Sequence, residues 1–135
     1  MEGMRIAAER DAQGSTVLRA VRGAHECGSV VLAAAGESAA WPAALVLRDL
    51  RVDPPWRRRG LGAALVAAVE ELAAASGAEL LVLEVDTSNA AAARLYASRG
   101  WLPVGEPSAY SYTSLDDGGA ASVVEVSRQT WAKAL

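Results

Sequence analysis

Arg57-Arg58-Arg59-Gly60-Leu61-Gly62 sets three guanidiniums and two residues without side chains into six positions. Upstream, the apolar run Ala44 to Val52 reads as a strand. Asp53-Pro54-Pro55 closes it, because proline removes backbone donors and forbids further ladder pairing. Downstream, Leu61, Leu65, Val66, Val69 and Leu72 recur at helical spacing, with Glu70 and Glu71 expected on the opposite face. A strand, a short basic glycine loop and a helix start make a cradle for phosphate. The first turn of a helix carries unpaired N–H groups and the positive end of its dipole, and residues without Cβ let an anion approach the backbone closely.

Two common nucleotide motifs are absent. A P-loop needs a lysine and a hydroxyl residue after its second glycine, and none follows Gly62; the dinucleotide fingerprint needs a third glycine, which Ala63 to Leu65 do not supply. What stands after Val52 is Arg57-x-x-Gly60-x-Gly62. It resembles the acetyl-CoA signature of the GNAT N-acetyltransferase superfamily, Arg/Gln-x-x-Gly-x-Gly/Ala. The fuller family pattern, Leu-x-Val-x-Pro-x-x-Arg-x-x-Gly-Leu-Gly, is met by Leu50, Val52, Pro54, Arg57, Gly60, Leu61 and Gly62. A second block, Asn89, Ala92, Leu95, Tyr96 and Gly100, resembles the family's Asn-x-x-Ala-x-x-Leu-Tyr-x-x-x-Gly-Phe, with Trp101 keeping an aromatic at the last position.

The resemblance implies a donor site and an acid. Arg57, Arg58, Arg59, Gly60, Leu61, Gly62 and Ala63 would hold the pyrophosphate of acetyl-CoA. Leu50, Arg51 and Val52 would offer strand backbone to pantetheine, where an N–H can also polarise the thioester carbonyl. Asn89, Ala92 and Tyr96 would complete the donor contacts, although a helix cap alone accounts for Asn89. Tyr96 is the family-matched general acid. Its phenol, with an ordinary pKa near 10, can protonate a departing thiolate only in concert with bond breaking. For the base that deprotonates the amine, Asp49 is the first candidate and Glu84 the runner-up, and each has an ion-paired strand residue as its plain alternative. Arg48 stands where some relatives carry an acidic residue.

Composition narrows the function classes. The chain has 135 residues and a net charge of −3, enough length for one domain over residues 1–135 and no bulk charge that favours nucleic acid. The three arginines form a local positive spot suited to a small phosphorylated ligand. The lone cysteine, Cys27, excludes an internal disulfide, reads as a buried apolar residue and suits a reducing cytoplasm. No metal-ligand spacing is present. Met1 to Arg10 lacks the apolar core of a signal peptide, and no run is long and apolar enough to predict a membrane span.

The remaining elements follow in order. Met4 to Glu9 is a strand. Thr16 to Arg22 and Val30 to Ala34 form a hairpin around Gly23–His25; a helix from Ser15 to Glu26 is the competing reading. Gly36 to Pro42 is a loop, Gly60 to Ser76 a helix and Leu80 to Val85 a central strand. A helix from Asn89 to Arg99, capped by Ser88 or Asn89, ends at Gly100. Strands from Leu102 to about Tyr112 and from Ser122 to Arg128 join around Asp116–Gly119. The expected fold class is α/β (α+β), a GNAT-like domain with a central mixed sheet of six to seven strands and helices on its faces. One departure stands out. Fewer than ten residues separate Glu9 from Thr16, too few for the two helices the family places there. Their loss should leave apolar surface beside the acceptor, including ground around Trp41, and predicts a homodimer in which each subunit walls the other's cleft. The function expected is acetyl transfer to an amine acceptor, a small molecule or a protein; the alternative is a non-catalytic acyl-CoA-binding or partner-binding domain with the same fold.

Overall fold

The computed structural model describes residues 2–36 and 40–135. Seven strands and two helices follow in the order β1 Met4–Arg10, β2 Thr16–Arg22, β3 His25–Ala34, β4 Leu45–Val52, α1 Leu61–Ala75, β5 Leu80–Asp86, α2 Ala90–Ser98, β6 Leu102–Leu115 and β7 Ala121–Ala134. The strands form one mixed sheet in the order β1-β2-β3-β4-β5-β7-β6. Part of the expected Gly36–Pro42 loop, residues 37–39, lies outside the described residues. By compactness the chain divides into unit one, residues 1–83 with 132–135, and unit two, residues 84–131.

Unit one is built on an antiparallel meander with short connections. Asp11 turns β1 into β2: its Oδ1 accepts the backbone N–H groups of Gln13 and Ser15, each at 2.9 Å. Among the described residues no helix lies between these strands. Arg22 pairs with His25, so Gly23 and Ala24 form a two-residue hairpin turn. Gly23 has φ 64, which suits glycine at the first turn position. Of the two readings of residues 15–26, the hairpin forms and the helix does not.

α1 packs against β2, β3 and β4, burying Leu61, Leu65, Val66, Val69 and Ala73 with Leu18, Val30, Leu32 and Leu47. Two expectations about this helix are corrected. Leu72 is 37% exposed and Glu70 only 7%. Contact follows the i, i+4 ridge Leu61–Leu65–Val69–Ala73, which runs oblique to the helix axis. By the fourth turn it has carried Leu72 off the sheet and brought Glu70 in. Lys133 Nζ meets that carboxylate, 3.1 Å from Glu70 Oε1. Gly28 permits the close approach. A Cβ there would stand 2.7 Å from the Arg51 carbonyl oxygen and 3.3 Å from Leu65 Cδ1.

An ion-pair cluster runs across β1 to β4. Arg19 bonds Glu9 at 2.8 Å and Glu26 at 2.7 Å, and Arg51 lies 3.7 Å from Glu26. These bonds, that to Glu9 foremost, hold the Arg19 guanidinium above its usual pKa. Trp41 is exposed as expected, but most of the other large exposed apolar residues lie on β6 and β7.

Within unit two, Asn89 caps α2 by accepting the Ala92 N–H at 3.1 Å, while Ser88 bonds Asp86 instead. Gly100 ends the helix at φ 86. Trp101 is buried beside Tyr96, ring centroids 5.5 Å apart and tilted by 59°. The β6–β7 turn is held by Asp116, whose Oδ1 accepts Gly118 N–H and Ala120 N–H. Both strands run past the expected ends at Tyr112 and Arg128, to Leu115 and Ala134. Among the described residues no helix is long and apolar enough to cross a membrane.

Candidate active site

In unit one the anion cradle takes shape as its residues demand. Pro54–Trp56 form one 3-10 turn after Asp53, and Arg57 N donates to Pro54 O at 3.2 Å. Arg58 has φ 61 and Gly60 φ 86. The left-handed Arg58 costs roughly 1–2 kcal/mol, while Gly60 adopts its conformation without a Cβ penalty. Such alternation turns successive N–H groups to one side as an anion-binding nest. The first helical bond of α1 is Ala64 N to Gly60 O, 3.0 Å, so the N–H groups of Leu61, Gly62 and Ala63 lie at the open helix start. No acidic residue occupies the first turn. A Cβ on Gly60 would meet nothing within 4 Å, so the space over the loop is open. These features fit a pyrophosphate.

β4 leads into this loop with a bulge. Ser29 pairs with Arg51 and Val31 with Arg48, so Val30 alone faces Asp49 and Leu50, and Asp49 takes the left-handed φ of 55. A bulge leaves a residue out of the ladder and re-aims the backbone beside it. On the other edge, β4 pairs with β5 in parallel only at Leu45↔Leu81 and Val46↔Val82. The stretch Leu50, Arg51 and Val52, assigned to pantetheine by resemblance, therefore lies beyond the paired segment.

The three arginines do not behave alike. Arg57 Nε donates to Val52 O at 3.0 Å. Arg59 stacks on Trp56, 4.5 Å from the ring centroid, with Arg22 5.5 Å from the same ring. Trp56 and Arg22 belong to no motif of the sequence and join the loop only through this stacking. An aromatic beside an arginine run was the signal for such stacking.

Unit two holds Glu84, Asn89, Ala92 and Tyr96. Tyr96 is 3% exposed, and burial pushes its phenol up to about 12. It stays protonated at physiological pH and keeps its proton for a strong acceptor. The Asn89 side-chain oxygen is used in capping. The two candidate bases are both exposed and both near an arginine. Asp49 is 2.6 Å from Arg48 in unit one, and Glu84 is 3.9 Å from Arg128 in unit two, where Arg128 also stacks over Tyr110 at 4.8 Å. Cys27 is fully buried. Among the described residues no group of three or more His, Cys, Asp or Glu could hold a metal.

A left-handed glycine loop between a bulged strand and an open helix start, followed by the capped Asn89–Tyr96 helix, stands where the GNAT resemblance expects its two motif blocks. Residues 4–101 match the model of the acetyltransferase (GNAT) family, and the chain belongs to that family. A curated relative, acetyl transferase GW6a of Oryza sativa subsp. japonica, is 44% identical over 62 residues, 45% of this chain; the match spans only 15% of the relative's own length. The fold is that of the Bacillus subtilis acetyltransferase solved in complex with CoA (TM-score 0.75, 15% identity, 98% of this chain and 99% of that one). It is equally that of the ribosomal-protein-alanine N-acetyltransferase from Brucella melitensis (TM-score 0.71, 21% identity, 91% and 70%).

Proposed function

We propose that this chain is an acetyl-CoA-dependent N-acetyltransferase that moves an acetyl group to the primary amine of a small molecule or protein by direct attack in a ternary complex. The observation that carries the reading is the start of α1: left-handed Arg58 and Gly60, open N–H groups from Leu61 to Ala63, and no acidic side chain in the turn. The nest holds the pyrophosphate, and the β4 backbone from Leu50 to Val52 lies alongside pantetheine. The bulge at Asp49 aims backbone N–H at the thioester oxygen, where charge develops during attack. The amine loses its proton through water to an exposed carboxylate, Asp49 or Glu84. Tyr96 gives its proton to the departing thiolate. With its pKa raised to about 12, the phenol does this only as the C–S bond breaks. A dimer built on the exposed β6–β7 hairpin belongs to the same proposal.

Two variants test the donor site. Gly60→Trp fills the open space above the loop and should abolish the rise in melting temperature that acetyl-CoA gives the wild type. Ala63→Glu places a carboxylate in the first turn, which favours the helix dipole by about 0.3–1 kcal/mol yet repels a pyrophosphate. It should therefore raise the ligand-free melting temperature while weakening acetyl-CoA binding. Unchanged affinity in both folded variants removes the loop from the donor site.

A further inference from the structure

Unit two carries a cavity of about 210 Å³ that no step of the proposed transfer uses. Val85, Ala93, Pro103 and Trp131 form its apolar wall, and Asp86, Thr87 and Gln129 its polar part. Gln129 Nε2 donates to the carbonyls of Val104, Gly105 and Thr130 at 3.0, 3.1 and 3.1 Å. Three carbonyls around one end of the amide fix that end as nitrogen, and among the described residues Oε1 meets no donor. Asp86 Oδ1 accepts the Ser88 N–H at 2.9 Å and the Ser88 hydroxyl at 2.8 Å, while Oδ2 is unengaged. These bonds, that to the backbone foremost, hold the Asp86 carboxyl below its ordinary pKa, so the group is anionic at neutral pH. Arg128, whose charge also acts on Asp86, is not among the residues of the wall, and no other arginine or lysine is. The cavity is thus rich in acceptors and negative in charge.

We infer that this cavity takes a primary ammonium carried on a compact apolar body, and that the acceptor of the transferase is a free small amine of that class rather than a protein. The assignment rests on the transferase reading above and names the substrate class within it. An ammonium brings three donors and no acceptor; Asp86 Oδ2, Gln129 Oε1 and the Thr87 hydroxyl oxygen are the acceptors that await them. Trp131 adds the side chain that attracts cations most strongly. A cavity of about 150 Å³ accommodates benzene, so 210 Å³ suits an arylalkyl or branched alkyl amine and is too small for a peptide segment with its backbone. Ala93 precedes Tyr96 by three positions and shares its face of α2, which sets the proposed acid one helical turn from the cavity wall.

Calorimetric titration without acetyl-CoA tests the cavity, with 2-phenylethylamine, 2-phenylethanol and 3-phenylpropanoate as probes that share one apolar body. Wild type should bind the amine, hold the alcohol at least about 10-fold more weakly, as loss of a charge-assisted hydrogen bond predicts, and give no heat with the carboxylate. Asp86→Asn keeps an oxygen for Ser88 and removes the charge; it should bring the amine down to the alcohol's affinity. Ala93→Leu fills the cavity from α2 with a good helix former and should weaken amine and alcohol alike. Thiol release from acetyl-CoA should then follow addition of 2-phenylethylamine, with KM raised in Ala93→Leu. The assignment is overturned if the three probes bind alike, if Asp86→Asn keeps the preference for the amine, or if 2-phenylethylamine stays unacetylated while a lysine peptide is acetylated. Wild type that binds 2-phenylethylamine yet releases no thiol with either amine would bring down the transferase reading and leave the cavity an ammonium site.

Discussion

Lys133 Nζ stands 3.1 Å from Glu70 Oε1, the ammonium of the chain's one lysine against the most buried carboxylate of α1. The pair joins β7 to α1 inside unit one, across 63 positions of sequence. Removing one member of a buried ion pair leaves the other charge short of compensation. Lys133→Met is expected to destabilise the fold by on the order of 3 kcal/mol. Glu70→Gln with Lys133→Met should recover much of this. Urea unfolding of the single and double variants gives the comparison, and additive losses would show that the pair does not couple.

Gly28 is required for a different reason. Its own φ is ordinary, so the constraint is space: the Arg51 carbonyl oxygen would sit 2.7 Å from an added Cβ. Backbone cannot yield as a flexible side chain does. Gly28→Ala should cost about 1–3 kcal/mol through overpacking and shift the β3–β4 register, visible as lost amide protection along Leu50–Val52. A melting temperature equal to wild type would mean that β4 moves freely.

Tyr96 gives a pH signature as well as a kinetic one. Its folded pKa is raised from 10 to about 12 by burial. The unfolded chain therefore ionises first as pH rises. The stability tied to this group is complete below pH 10 and lost as pH climbs towards 12, on the order of 2–3 kcal/mol in all. Tyr96→Phe should flatten that alkaline decline and, on a confirmed acceptor, lower turnover by about 10²–10⁴-fold with little change in acetyl-CoA affinity. Full turnover in Tyr96→Phe would leave the residue a packing role only.

The β6–β7 hairpin predicts an assembly. Leu102, Leu115 and Val123 are each exposed by about two thirds or more (68%, 67% and 71%), and β6 is the last strand of the sheet order. Open edges with apolar side chains invite pairing. Light scattering at micromolar concentration should report a dimer, and Val123→Lys with Leu115→Lys should return it to 14 kDa. A fully active 14 kDa wild type would refute the dimer.

The parts of this molecule legible in the sequence are those decided locally. Pro54 and Pro55 stop β4, Gly23 sets a two-residue turn, Asn89 caps α2 and Gly60 opens α1, each through its own backbone chemistry. Glu70 was misplaced because the partner that admits it, Lys133, lies on a strand far along the chain. The bulge at Asp49 was invisible for a similar reason: a left-handed aspartate within a strand is fixed by its pairing with β3. Thr113, Ser114, Gln129 and Thr130 hid the full length of β6 and β7, since polar residues interrupt an apolar pattern without interrupting a ladder. In the arginine run the composition was plain, but the division of its contacts needed the positions of Val52 and Trp56.

The turn held by Asp11 has a kinetic consequence. With two family helices replaced by five residues, β1 to β3 become neighbours in sequence as well as in space, and contacts of that kind form early because little loop entropy opposes them. The Glu70–Lys133 contact, closing 63 positions, belongs to the late end of the same process. A chevron measured on Lys133→Met should therefore show its loss almost wholly as faster unfolding, whereas Asp11→Ala should slow folding itself. The shortened connection would then act as the folding nucleus of the sheet.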